Sequence, residues 1–546
     1  MYKATDNVAL MLNVNTERPL QAQLFEQVRA MIIDGQLKAG TALPATRALS
    51  ERLGVSRNTV VLAYDRLLAE GYIESKRSIG TFVSTAIPDS GLLQADNDHE
   101  PQEIIEAEIE AGPQAADLVK DRHGDKIYKH FSPLNGQSAA RPGGEAQDLA
   151  TKTHENRPEI DFKPFTMDAE DFPLRSWRRI LNRKSQDVER FFPLHNEPLG
   201  CFDLRRAIAD HLGPARGIIT EPDEVMIFGS LAEARMILAE LLLSPDAMAI
   251  CETPSSLAAV NLFAHKGAKL AFMPMDEHGL MTEHLPKMQT IAQQGGLLYV
   301  SPSCQIPLGS GMALARRIEL LEWAREARVM VIEDEADSDF YQSGSPPTAL
   351  KGLDGQGSVI YLGGFEKSLG ASFGLAYLVL PQKLVALAAE LKQMLAPGPS
   401  LLNQAVMAEF IECGAYDRHL RKFRKNCMEK RKHLIDQLKT YFSHLPPLPE
   451  NGGLQLLLPL PPGTELDTLK ARSLQELDIG IYNLAESGFY LSDQAIKAER
   501  YKEMQRSVLL GFSGLQMNEI SRGVEALAGL LNEQITPMNA VNGDMR

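Results

Sequence analysis

The chain has 546 residues, too many for one hydrophobic core, so two or three domains are expected. Its net charge of −15 at pH 7 argues against a general polyanion binder, and any affinity for nucleic acid must come from a local patch. Charged residues near the start (Lys3, Asp6, Glu17, Arg18), the lack of a long apolar run, and five scattered cysteines (Cys201, Cys251, Cys304, Cys413, Cys427) argue against a secretory signal, a membrane span, a disulfide framework or a zinc site; a cytoplasmic location is predicted.

The first periodic stretch runs from Pro19 to Asp34. Leu20, Leu24, Val28, Met31 and Ile32 form its helical stripe, and Gly35 and Gly40 frame the exit. The stretch 43-LPATRALSERLGVSRNTVVLAYDRLLAEGYIESKRSIGTFV-83 follows. Pro44 opens a short helix with Leu49 and Leu53 four apart, and Gly54 breaks it. Ser56 is a good N-cap for the next helix, whose Val60, Tyr64, Leu67 and Leu68 face a core. Arg57, Asn58 and Thr59 then lie at the helix N-terminus, where a recognition helix meets base edges. Tyr72–Glu74 and Gly80–Ser84 read as two short strands around the basic tip Lys76–Arg77. Helix, turn, helix and wing in this order predict a winged helix-turn-helix over 1–84. The competing reading is a plain three-helix bundle with solvated arginines.

From 85 to 156 the composition turns acidic, with Asp89, Asp96, Asp98, Glu100, Glu103, Glu106, Glu108 and Glu110, and with frequent Pro, Gly and Gln. This predicts a flexible acidic linker. Its alternative role is an arm competing with DNA for the basic domain.

A large α/β domain is predicted over 157–535, followed by a tail at 536–546. Apolar runs at Val225–Phe228, Ala247–Cys251, Lys269–Pro274, Leu297–Ser301, Val329–Glu333, Val359–Gly363 and Ala376–Leu380 alternate with helical patterns such as Ala232–Leu243 and Leu314–Ala327. Such alternation predicts a mostly parallel sheet covered on both faces. After Pro399 the pattern is helical, including the basic stretch Arg418–Leu434, read as a helix with a solvated basic face and apolar positions at Leu420, Phe423, Cys427 and Leu434. A smaller α+β region follows, with strands at Gly453–Leu460 and Ser507–Phe512.

Four motifs together resemble the MocR-type branch of the GntR family of bacterial transcription regulators: 54-GVSRNTVVLAYDRLLAEGYIES-75, 301-SPSCQIPLG-309, 331-VIEDEADSDF-340 and 359-VIYLGGFEKSLGASFGLAYLVLP-381. The resemblance implies an N-terminal winged helix-turn-helix joined to a large fold-type I aminotransferase-like domain with a mostly parallel sheet and a smaller C-terminal α+β subdomain. It also implies double-stranded operator DNA as partner, a small-molecule effector and a head-to-tail homodimer, with no membrane partner. Arg47, Arg57 and Thr59 match DNA-contacting positions, Ser56 and Asn58 share that helix start, and Gly80 matches the wing tip. An Arg here reads guanine O6 and N7, or, for Arg47, clamps a phosphate.

In the large domain, Lys367 matches the lysine that forms an aldimine with pyridoxal phosphate, and Asp334 matches the carboxylate that pairs with the pyridinium nitrogen. Ser230 in the phosphate loop and Ser303 in the 301-SPS loop complete the predicted cofactor set. No metal site is expected. The departures cluster. Glu366 stands where the family has a serine, Gly374 replaces the phosphate-clamping arginine, and Ser256 and Ala336 replace ring-contacting tyrosines; Cys304 stands where a histidine is usual. Arg506 is a loose match to a carboxylate-binding arginine. A hydrogen bond to a charged group contributes about 1.5–3 kcal/mol and a stacked aromatic about 0.5–1.5, so these losses together weaken cofactor binding by orders of magnitude. Three readings follow: a regulator whose large domain senses pyridoxal phosphate or an aldimine-forming amine, a sensor that has abandoned the cofactor, and a working aminotransferase. The missing groups argue against efficient turnover.

Overall fold

In the computed structural model, residues 20–33, 37, 40–69, 72–76, 80–84 and 158–543 are described, apart from 188–196, 288–295, 306, 337, 341–346, 371, 397, 443–452, 462 and 493–498. The acidic linker, the wing-tip residue Arg77 and Gly35 lie outside the described residues.

Three helices and a hairpin build the N-terminal unit: α1 (Leu20–Ile33), α2 (Thr46–Leu53), α3 (Arg57–Ala69), β1 (Ile73–Lys76) and β2 (Gly80–Val83). The described helix holds the whole predicted stripe, and Leu24, Val28 and Ile32 are buried against Leu49, Val60, Tyr64 and Leu67. Gly54 ends α2 in the left-handed region (φ 67°), and its N–H bonds Ser50 O. Tyr64 Oη donates to Pro44 O at 2.9 Å, fixing α3 against the entry to α2. The strands pair antiparallel from Ile73↔Val83 to Lys76↔Gly80, so the first strand begins one residue later than its apolar pattern.

The second unit is a three-layer α/β domain. Its strands are β3 (Val225–Phe228), β4 (Met248–Glu252), β5 (Lys269–Met273), β6 (Gly296–Val300), β7 (Met330–Asp334), β8 (Val359–Gly364) and β9 (Ala376–Val379). They form one seven-stranded sheet in the order β3-β9-β8-β7-β6-β4-β5, in which only β9 runs antiparallel to its neighbours. Alternation sends Met226 and Phe228 to one face and Val225 and Ile227 to the other. The first face is covered by helices Leu231–Leu242, Leu257–His265 and Gln382–Leu395; the second by Phe202–Arg216, Leu401–Glu412 and Leu314–Ala327. Predicted strand ends shift by one or two residues, because the last apolar residue of a run need not carry the last ladder bond.

The C-terminal subdomain packs strands Gln455–Pro459 and Ser507–Gly511 against the long helices Ala415–Tyr441 and Met517–Gly543. The basic stretch inside Ala415–Tyr441 corrects the sequence reading in part. Leu420, Phe423, Cys427 and Leu434 are buried as predicted, but so are Lys430 and Arg431. Lys430 donates to Ser513 O at 2.9 Å and lies 3.6 Å from Asp168, and Arg424 is bonded to Asp339. These cations therefore tie the helix to its own domain.

One buried cation organises the loop that follows β6. Arg317 is 1% exposed and donates to the carbonyls of Met312 (3.0 Å), Thr348 (2.8 Å) and Pro302 (2.7 Å). An unsatisfied buried acceptor costs about 1–3 kcal/mol. Arg317→Met should therefore destabilise the large domain by about 3 kcal/mol or more, read as a lowered midpoint in chemical denaturation of the full chain.

Candidate functional site

Two surfaces carry the predicted functional residues. On the first, Ser56 caps α3 as expected: its Oγ accepts from Thr59 N at 3.1 Å and lies 2.8 Å from Thr59 Oγ1. The cap leaves Arg57 exposed at the helix start, beside a half-buried Thr59. Arg47 is also exposed, one helix earlier, with Glu51 at 3.1 Å. An ion pair this exposed contributes little and yields readily to a phosphate. Gly80 opens β2, at the wing. The exposed basic groups thus sit at a helix N-terminus, where the dipole also favours anions.

The second surface is the carboxyl-terminal edge of the sheet, where α/β folds bind ligands. Asp334 ends β7, Glu252 ends β4, Gly229 and Ser230 follow β3, and Lys367 follows β8 in the short helix Glu366–Leu369. The topology therefore gathers Lys367, Asp334 and Ser230 at one edge.

Their partners were not foreseen. Asp334 Oδ2 accepts from Arg235 Nη2 at 2.7 Å and from the Tyr299 hydroxyl, while Oδ1 accepts from Ala336 N at 3.3 Å. Arg235 Nε also bonds Tyr299 Oη at 3.1 Å. Arg235 and Asp334 are 14% and 9% exposed, so the pair is desolvated. Burial alone would raise the Asp334 carboxyl; the Arg235 charge and the donated hydrogen bonds outweigh it and hold the group below the ordinary carboxylate value.

Around the helix Leu231–Leu242, Ser230 Oγ caps Glu233 N at 3.1 Å. The carboxylate of Glu233 accepts from Gly229 N at 2.9 Å, and Glu366 Oε1 accepts from Leu231 N at 3.4 Å. Burial raises the Glu366 carboxyl above its ordinary value. Two carboxylates thus hold the donors at this helix N-terminus. Gly374 adopts φ +67°, and a Cβ there would meet Gly229 O at 3.3 Å. An arginine at this position is strained in the present backbone.

Lys367 Nζ lies 3.1 Å from the centroid of the Phe165 ring. Phe165 itself has φ 63°, a left-handed backbone unusual for a bulky residue. Ser256 caps the helix Leu257–His265 through Ala259 N at 3.4 Å. Ser303 is fully buried. Its hydroxyl accepts from Arg216 at 2.6 Å, and its N–H donates to Glu335 at 2.9 Å. Ser303 therefore belongs to a buried network that braces the loop after β6. No sequence motif marked Phe165 or Tyr299. Glu233 and Arg235 left one signal: two charges close together at the start of the largely apolar run 231-LAEARMILAELL-242.

The N-terminal unit matches the model of bacterial regulatory proteins of the gntR family over residues 20–83, and residues 165–501 match aminotransferase class I and II. Over 521 residues the chain is 30% identical to the probable rhizopine catabolism regulatory protein MocR of Rhizobium meliloti, covering 95% of each chain. The chain belongs to the MocR-type branch of the GntR regulators. The chain is also similar to the HTH-type pyridoxine biosynthesis transcriptional regulator PdxR of Corynebacterium glutamicum, 27% identical over 481 residues, covering 87% of this chain and 91% of that one. This MocR-type chain shares its larger fold with a Pyrococcus horikoshii kynurenine aminotransferase solved in complex with PMP. The TM-score is 0.62 at 22% identity, with 75% of this chain and 98% of that one covered. An α-aminoadipate aminotransferase of Thermus thermophilus, complexed with N-(5'-phosphopyridoxyl)-L-leucine, gives 0.60 at 22% identity, with 69% and 93% covered. Aminotransferases of this fold are pyridoxal-phosphate enzymes. Among the described residues no helix is long and apolar enough to cross a membrane.

A titratable neighbour supplies a test of the site's burial. Glu252 is 3% exposed; burial pushes its carboxyl up to about 8, against the Ser301 N–H that lowers it. The folded protein therefore keeps a proton that the unfolded chain releases above 4.5, its ordinary value. Stability should fall as pH rises from 4.5 towards 8, since the unfolded state binds fewer protons there. Glu252→Gln should remove this part of the slope, measured as denaturation midpoints across that pH range.

Proposed function

We propose that this protein is a homodimeric DNA-binding transcription regulator whose aminotransferase-like domain senses a small molecule rather than turning one over. The observation that carries the reading is the capped start of α3, which presents Arg57 beside Thr59 at the end of an ordered helix-turn-helix. A single recognition helix makes too few contacts for useful specificity, so two copies acting on two half-sites are required. The larger domain supplies the dimer, paired head to tail as in its fold class. A ligand that prefers one arrangement of the domains shifts DNA affinity by its difference in affinity for the two states.

The effector cleft lies at the sheet edge that gathers Lys367, Asp334 and Ser230. The residues present do not fit pyridoxal phosphate. The Asp334 oxygen that would receive a pyridinium N–H already accepts from Arg235 and Tyr299. The N–H groups of Gly229 and Leu231 face Glu233 and Glu366, whose negative charge repels a phosphate dianion. An effector held by its own polar contacts, with no bond to Lys367, agrees better with these partners. The same partners weigh against an aminotransferase, whose chemistry needs a cofactor seated against Asp334.

Arg57→Ala tests the regulator directly. Duplexes selected by the parent from a random pool serve as operator, and fluorescence anisotropy compares them with unselected duplexes. A bidentate arginine–guanine contact contributes about 1–3 kcal/mol, so selective binding should weaken by roughly tenfold to a hundredfold. Unchanged affinity and selectivity would overturn the assignment of α3 as the reading helix.

A further inference from the structure

Three independent contacts converge on one cleft. Arg235 takes the Asp334 oxygen, the carboxylates of Glu366 and Glu233 take the N–H groups of Leu231 and Gly229, and the Phe165 ring covers the Lys367 ammonium. Each contact is of the kind a phosphopyridoxal compound needs: a cation on the strand-end carboxylate, an anion on the helix N-terminus and a flat ring beside the lysine. We infer that this chain supplies those three features from its own side chains, and that the cleft thereby rejects phosphopyridoxal compounds. The inference deepens the sensor reading above and rests on its placement of the cleft.

The charges complement one another. Arg235 enters from the second turn of the helix Leu231–Leu242, the same helix whose first N–H, that of Leu231, meets Glu366, while Gly229 just before its cap meets Glu233. One helix therefore carries both the cation that occupies Asp334 and the dipole end that the carboxylates occupy. A buried ion pair is costly to break one-sidedly, because the partner left behind keeps its charge in a desolvated site. A pyridinium would have to displace Arg235 from Asp334, and a phosphate would have to displace Glu366 from Leu231 N. Phe165 adds a third obstacle. It keeps a left-handed backbone while its ring lies 3.1 Å from Lys367 Nζ and 5.9 Å from the Phe489 ring, so it is held from both sides.

The test uses pyridoxal phosphate itself and the full-length protein. The parent is titrated beside Glu366→Ser, beside Arg235→Gln/Glu366→Ser, and beside the double variant carrying Lys367→Ala. Gln keeps a neutral donor for Asp334, and Ser removes the competing carboxylate. The parent should show no visible aldimine band at excess cofactor. The double variant should gain a band that borohydride removes and that Lys367→Ala abolishes. Each released contact corresponds to about tenfold, so the double variant should bind roughly a hundredfold tighter than any residual binding by the parent. Glu366→Ser alone should bind about tenfold tighter than the parent, which keeps the test decisive if the double variant misfolds. A parent that forms the band as readily as the variants would overturn the inference. So would variants with parental circular dichroism and DNA affinity that still reject the cofactor. Selective DNA binding by the same preparations reports separately on the regulator: its loss would sink that reading and leave the cleft result standing.

Discussion

The ion pair between Arg235 and Asp334 is the contact on which the large domain's cleft depends. It lies at the carboxyl-terminal edge of the sheet and joins β7 to the helix after β3, with Tyr299 of β6 bonded to both partners. Three elements that a ligand would otherwise bridge are already bridged. A pair this desolvated is held by geometry more than by net energy, since the cost of burying two charges nearly offsets their attraction. Its consequence is specificity: Asp334 stays ionised below its ordinary titration range, and the helix Leu231–Leu242 is tied to the end of β7.

The two halves of the chain were legible in the sequence to different depths. The winged helix could be read almost residue by residue, because its signals are local. Ser56 caps α3 through Thr59 N, Gly54 turns left-handed, and the stripe of Val60, Tyr64 and Leu67 is buried as its spacing requires. The parallel sheet was legible because its strands are buried on both faces and read as continuous apolar runs. Strand order was not, since it depends on pairings between residues far apart, such as Leu297 with Met330 and Leu297 with Ala249.

Within the cleft, motif positions located Lys367, Asp334 and Gly374, but not what those residues touch. Arg235 lies 99 positions from Asp334 in the chain, and Phe165 more than 200 from Lys367. No spacing rule joins such pairs. Glu366 was legible as a charge unsuited to phosphate, yet its actual partner, the N–H of Leu231, appears only when the helix start is placed beside it. The basic run of Ala415–Tyr441 misled for the opposite reason. Local pattern marks a charged face as solvated, whereas Lys430 finds Asp168, Asp171 and Ser513, all far from it in the chain.

Gly374 limits what this edge of the cleft can carry. Its left-handed backbone and the nearness of the Gly229 carbonyl leave little room for any side chain. A built Cβ would press on the Gly229 carbonyl, which belongs to the main chain and cannot swing aside as a flexible side chain would. At this position the barrier to a larger residue is the main chain itself: an arginine here requires the local backbone to change along with the side chain.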